Sequence, residues 1–141
     1  MFHRYLLAVL LTISAPALAQ DIGVKDAYAR VTPHSGAIFL RILNSGSVDD
    51  RLLSLETSVA KSAMLHESMF VDGISSMRPL PDGLTIPAQS ESVLKRAGNH
   101  IMLTGLRRKL EQGMNFPLIL LFAQAGEITI DVLVDNARSE N

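Results

Sequence analysis

The sequence of 141 residues contains no cysteine and no tryptophan, and aromatic residues make up only 5% of it. Without cysteine the chain can form neither disulfides nor thiolate metal sites. A blue-copper electron carrier is also excluded, because its metal centre requires a Cys thiolate beside two histidines. The 13 basic and 14 acidic residues nearly balance and form no long run of one sign. A surface for nucleic acid or for an anionic membrane is therefore not indicated.

Long hydrophobic runs are missing as well. The apolar run from Leu6 to Ile13 near the N-terminus is too short to cross a bilayer. Arg4 precedes this run and Ala17-Leu18-Ala19 follows it, which is typical of a signal peptide with small residues at its cleavage site. We therefore expect residues 1–19 to be a signal peptide that is cleaved after Ala19, with export of the protein and no stable membrane insertion afterwards.

The predicted mature chain has the size of one domain. Removing 19 residues leaves 122 of the 141, and the loss of Arg4 leaves 12 basic against 14 acidic residues, a net charge of −2. A chain of this length can bury a sizeable core. We expect residues 20–141 to form a single domain.

Short β-rich segments, separated by turn residues, dominate this domain, and no helix-period pattern longer than about ten residues occurs. Asp72-Gly73 is a typical two-residue hairpin turn, whereas residues 105–113 fit either one helical turn or an extended loop. The sequence predicts an all-β Greek-key sandwich or barrel. The nine candidate strands are Val24–Val31, Ala37–Leu43, Arg51–Thr57, Ala63–His66, Ile74–Arg78, Ser92–Lys95, His100–Leu103, Leu118–Ala123 and Glu127–Val134.

Four residues with soft or borderline neutral donors are candidate metal ligands. Met77 follows His66 after ten residues, and His100 and Met102 flank Ile101. On a strand, residues at i and i+2 project from the same face, so His100 and Met102 form half a site by local geometry alone. Imidazole nitrogen and thioether sulfur favour Cu(I) over hard cations. Taken singly, however, a strand methionine more often packs than binds metal, and His66 is equally consistent with a half-exposed strand residue.

Several separate motifs, in order along the chain, resemble the PCu(A)C family of periplasmic copper chaperones, and the match runs from about Asp26 to Val134. The residues that carry the resemblance are Leu65-His66-Glu67, Asp72-Gly73-Ile74, Met77-Arg78-Pro79-Leu80, Gly83-Leu84-Thr85-Ile86-Pro87-Ala88 and His100-Ile101-Met102-Leu103-Thr104-Gly105-Leu106. The resemblance implies a cupredoxin-like β-sandwich in which His66, Met77, His100 and Met102 bind one Cu(I) per chain. It also implies delivery of copper to cytochrome c oxidase subunit II or another copper-accepting protein.

The function we expect is therefore a periplasmic copper carrier that acts as a monomer and is not an enzyme. No nucleophile-elbow pattern, clustered carboxylate pair or three-ligand zinc motif occurs in the sequence. Residues 135–141 contain neither Met nor His, so we expect only one site. The alternative is a β-sandwich binding module of the cell envelope without metal, in which the four-residue coincidence would be accidental. Met64, Met69, Glu67 and Arg78 are assigned no role.

Overall fold

The computed structural model describes residues 21–139, which form ten β-strands and no helix. The all-β prediction is confirmed, while the predicted signal peptide lies outside the described residues. Among residues 21–139, no helix has the length and apolar character needed to cross a membrane. The strands are β1 (Ile22–Val31), β2 (Ser35–Asn44), β3 (Asp50–Glu56), β4 (Ala60–Val71), β5 (Ile74–Pro79), β6 (Leu84–Ile86), β7 (Ser90–Leu94), β8 (Asn99–Leu106), β9 (Asn115–Phe122) and β10 (Gly126–Val134).

The strands are joined in one hydrogen-bonded sheet with the order β5-β4-β8-β2-β1-β10-β9-β3-β6. β1 and β10 are parallel neighbours, and the other described pairings are antiparallel. The second half of β2 pairs with β7, beyond the part that pairs with β8. Strands distant in sequence are thus neighbours in the sheet, as in Greek-key connectivity.

A single hydrophobic core joins both ends of this strand order. It contains Leu65 of β4 and Ile101 of β8 together with Leu52 of β3 and Phe122 of β9, all nearly inaccessible to solvent. The sheet therefore curves around one core, which apolar burial stabilises. Alternation along β8 turns Ile101 and Leu103 into the core, so His100 and Met102 project from the opposite face.

The hairpin between β4 and β5 forms as the sequence predicts. Asp72 and Gly73 have φ values of 52° and 79°, the positive angles that a type I′ turn requires. β4 is longer than predicted, because its first residues pair with β8 and its last residues with β5. Polar residues such as Ser62 and Glu67 interrupt the apolar pattern there, so local sequence underestimates the strand.

In two further segments the structure adds to the sequence prediction. β6 was not predicted; its three residues between Gly83 and Pro87 pair with β3 and carry too little periodicity to be recognised. Of residues 105–113, for which the sequence allowed either one helical turn or an extended loop, Gly105 and Leu106 end β8 and residues 107–113 form a loop.

Buried Asp50 connects β3 to the turn between β9 and β10. Its carboxylate accepts hydrogen bonds from the backbone N–H groups of Arg51, Gln124 and Ala125 at 2.7, 2.8 and 2.9 Å. A buried carboxylate is costly unless it is hydrogen-bonded, and here three donors satisfy it.

Candidate metal centre

The pairing of β4 with β8 places His66 directly opposite His100. Opposite residues of an antiparallel pair project from the same face, with Cβ atoms about 4.5–5.5 Å apart. The ring centroids are 6.1 Å apart and the rings meet edge to face. The two predicted histidines, separated by 33 residues, are therefore brought together by strand register.

Both methionines project from the same face as the histidines. Met102 lies two residues beyond His100 on β8, and Met77 on β5 is opposite Ser68, two residues beyond His66 on β4. We call this surface of β5, β4, β8, β2 and β1, on the side away from the core, the outer face. All four predicted ligands lie on the outer face of three adjacent strands.

The four side chains differ in exposure. His100 is only 4% exposed, Met102 and His66 are half-buried, and Met77 on the edge strand β5 is 57% exposed. Met77, His100 and Met102 line a cavity of about 740 Å³ on the outer face. His66 does not line this cavity but lies against His100. The centre is accessible from the Met77 side.

Hydrogen bonding fixes the donor atom of His100. Its Nδ1 lies 3.1 Å from the backbone carbonyl oxygen of Gly98. Because a carbonyl can only accept, Nδ1 carries the proton in the neutral ring and the lone pair is on Nε2. A histidine that ligates metal typically has its other nitrogen held in this way.

In contrast to Nδ1 of His100, the buried Nδ1 of His66 has no hydrogen-bond partner among the described residues. Burial of the ring, and secondly the charge that His100 carries when protonated, lower the pKa of His66 from its usual 6.5. Both effects favour the neutral ring. A buried polar atom without a partner needs an explanation, and a missing ligand is one of the usual ones.

The aromatic residue Phe39 also belongs to this face, although no sequence pattern indicated it. Its ring lies 6.4 Å from that of His100 and 5.3 Å from that of Tyr28. Because β2 is apolar on both faces around Phe39, strand alternation could not distinguish the side chains of the core from those beside the candidate centre.

The methionine Met64, which the sequence left without a role, lies opposite Met102 on the outer face and is half-exposed. Met69 was likewise assigned no role. It lies on β4 opposite Ser76, where alternation directs it away from the outer face. His34 is exposed in the turn between β1 and β2.

Glu67 and Arg78 form an ion pair on the side of the hairpin away from the outer face. Arg78 Nη2 lies 2.6 Å from a carboxylate oxygen of Glu67, and Nε of the same arginine donates to that oxygen at 2.8 Å. The residues are opposite each other on β4 and β5. The pair links the strand carrying His66 to the strand carrying Met77.

The described residues contain no close group of three or more His, Cys, Asp and Glu side chains. Within this part of the chain, the ligand types typical of zinc and of hard cations are therefore not assembled. The outer face instead combines two imidazoles with two thioethers, a neutral and soft donor set.

The fold defines the class of protein, an all-β domain of the PCuAC type. The copper-bound PCuAC domain of PmoF2 is similar in fold, with a TM-score of 0.69 and 21% identity, covering 82% of this chain and 92% of that domain. The Cu(I) form of DR1885 from Deinococcus radiodurans has a TM-score of 0.66 and 26% identity, over 87% of this chain and 83% of DR1885. The predicted PCu(A)C resemblance and the cupredoxin-like fold are thereby confirmed.

The chain belongs to the LpqE-like family, described as "Putative lipoprotein LpqE-like", which matches residues 22–134. A curated relative, "Putative lipoprotein Lxx21020" of Leifsonia xyli subsp. xyli, is 32% identical over 105 residues. This match covers 74% of the chain but only 63% of the relative's length.

Proposed function

We propose that this protein is a copper carrier of the cell envelope that binds one Cu(I) through His66, Met77, His100 and Met102. The observation that carries the proposal is the strand register, which sets His66 opposite His100 and places both methionines on the same face of the adjoining strands. Copper is the cargo in this proposal, and no catalytic turnover is assigned to the protein.

The chemistry of the donor set supports Cu(I) over other cations. Two imidazoles and two thioethers add no negative charge, so they offer little to Mg²⁺ or Ca²⁺, which prefer carboxylate and carbonyl oxygens. Nδ1 of His66, which has no hydrogen-bond partner among residues 21–139, and Nε2 of His100 each offer a nitrogen lone pair to a metal ion. One such set occurs on the outer face, which supports one copper per chain.

The exposure of Met77 supports transfer of copper over permanent retention. Met77 lies on an edge strand at the open side of the centre, where a donor from a second protein can approach while the more buried His100 still holds the ion. Replacing ligands one at a time avoids release of free copper. The thioether of Met77 is therefore the ligand expected to leave first.

The proposal also includes where the protein is located and which protein receives its copper. DR1885 and PmoF2 are described with bound copper, and the curated relative and the family are described as lipoproteins. Together with the expected signal peptide, these descriptions support an exported envelope protein. We propose cytochrome c oxidase subunit II, or another copper-accepting protein, as the recipient, and a monomer as the carrier.

An anaerobic Cu(I) titration against a chromophoric chelator tests the proposal. We expect one equivalent of Cu(I), and an affinity at least about tenfold weaker in Met77→Leu and His100→Ala, since loss of a ligand should cost no less than loss of a residue that orients one. Met114→Leu and His34→Ala are matched controls outside the outer face and should bind as the parent does. Parent-like affinity in both ligand variants would contradict the site, and no Cu(I) binding at all would favour the non-metal binding module.

A further inference from the structure

The cavity beside the candidate centre is much larger than a single copper ion needs. Its volume is about 740 Å³, whereas a water molecule occupies about 30 Å³ in the liquid. Cavities of about 300–1,000 Å³ typically hold small organic ligands. Room for a second ligand therefore remains beside Met102 and His100.

The charge of the cavity is one-sided. Its lining includes Arg30 and Arg96 but no aspartate or glutamate, although acidic residues slightly outnumber basic ones in the whole chain. Hydroxyl and amide groups add hydrogen-bond donors along its lining; they belong to Thr32, Ser68, Ser75 and Asn136. Such a cavity attracts an anion.

Arg30 occupies a defined position in this cavity. β1, β2 and β8 place Arg30, Ala37 and Met102 in one cross-strand row on the outer face. The small side chain of Ala37 leaves space between the arginine and the methionine. Arg30 is half-buried, yet its guanidinium has no ion pair and no hydrogen bond to any residue between 21 and 139.

The walls indicate which kind of anion fits. Ala37, Phe39 and Met102 provide an apolar floor next to the arginines. An organic carboxylate can place its carbon atoms on this floor and its two oxygens on the guanidinium, whose fork matches a carboxylate. Inorganic phosphate has no apolar part for the floor.

We propose that the Arg30 side of this cavity binds a carboxylate group, and that the carboxylate binds more tightly when the neighbouring centre holds Cu(I). The effect of Cu(I) on carboxylate binding rests on the proposed function. The four ligands are neutral, so bound Cu(I) adds a positive charge next to the carboxylate, and the coupling between the two sites is reciprocal. A carboxylate on the copper-accepting protein would therefore recognise the loaded carrier in preference to the empty one.

An NMR titration of the ¹⁵N-labelled, copper-free protein at constant ionic strength tests the carboxylate site. Sodium succinate should give saturable shifts at Arg30, Thr32 and Met102. Arg30→Gln should weaken its binding about tenfold or more, as expected for loss of a charge-assisted bidentate contact, and Arg30→Lys should weaken it less. Arg108→Gln, which removes the same charge from an exposed loop, should bind succinate as the parent does.

Two further ligands identify the chemistry and the source of the carboxylate. Inorganic phosphate should bind more weakly than succinate, and tighter phosphate binding would overturn the assignment. A short peptide with two adjacent aspartates is compared with succinate. Tighter binding of the peptide indicates a carboxylate on a protein, and tighter binding of succinate indicates a free small carboxylate; either result supports the site. No saturable shift with either carboxylate, or equal affinities in Arg30→Gln and Arg108→Gln, would overturn it.

The effect of Cu(I) on carboxylate binding is tested by a separate measurement. His66→Ala removes a proposed ligand that does not line the cavity, so this variant should lose Cu(I) affinity and keep succinate binding. In the parent, loading with Cu(I) should tighten succinate binding at least about twofold. Unchanged succinate affinity on loading would overturn the coupling, whereas failure to bind Cu(I) would contradict the carrier function and leave the carboxylate site of the copper-free protein standing.

Discussion

His66 and His100 face each other across β4 and β8 with their ring centroids 6.1 Å apart and their planes at 73°. His100 is oriented by the carbonyl oxygen of Gly98, whereas the buried Nδ1 of His66 has no partner among the described residues. One histidine is thus held in place and its neighbour is left with an unused donor atom, which suits a centre completed by its cargo.

Acid should weaken Cu(I) binding, because protons compete with copper for both histidines. The affinity should fall as the pH drops below the usual histidine pKa of about 6.5, and two histidine ligands set a limiting slope of about two decades per pH unit. His66→Ala should reduce that slope to about one. Chelator competition, corrected for protonation of the chelator, measures both slopes, and an affinity independent of pH between about 7 and 4.5 would remove the histidines from the site.

The lowered pKa of His66 predicts how the stability of the copper-free protein changes with pH. Burial of the ring, and secondly the charge of protonated His100, place the pKa of His66 in the folded protein below the usual 6.5. The unfolded chain therefore takes up this proton first as the pH falls, so the His66 contribution to stability is lost between about pH 6.5 and the folded pKa. An NMR titration of the His66 ring with a midpoint at or above 6.5 would contradict this environment.

Peroxide treatment of the copper-free protein should impair Cu(I) binding, because a sulfoxide replaces a soft sulfur donor by a hard oxygen. Met77 is more exposed than Met102 and should be oxidised first. Peptide mapping and chelator competition on the same samples follow both changes. If Met77 and Met102 are both sulfoxides and the affinity is unchanged, neither is a ligand.

The Asp50 network should contribute strongly to stability. Asp50→Ala leaves three backbone N–H groups without their acceptor, which we expect to lower the free energy of unfolding by about 2–4 kcal/mol. Asp82→Ala removes an exposed carboxylate without such bonds and should change it by less than about 0.5 kcal/mol. Urea unfolding of both variants measures the difference, and similar values would show that the network is not stabilising.

The sequence predicted the elements near the centre better than it predicted how they meet. His100 and Met102 share a face because two residues on one strand always do, and the Asp72-Gly73 turn follows from local chemistry. The pairing of His66 with His100 depends on long-range register, and only the family resemblance anticipated it. Arg30 and Phe39 join the outer face through β1 and β2, whose neighbours in the sheet cannot be read from local periodicity.

X-ray absorption at the copper edge of the Cu(I)-loaded protein tests the central claim most directly, since it identifies the atoms around the metal. We expect both nitrogen and sulfur scatterers, with two of each per copper, and one sulfur fewer in Met77→Leu. The Met114→Leu control should match the parent. A copper environment of nitrogen and oxygen alone, or one unchanged by Met77→Leu, would contradict the site proposed on the outer face.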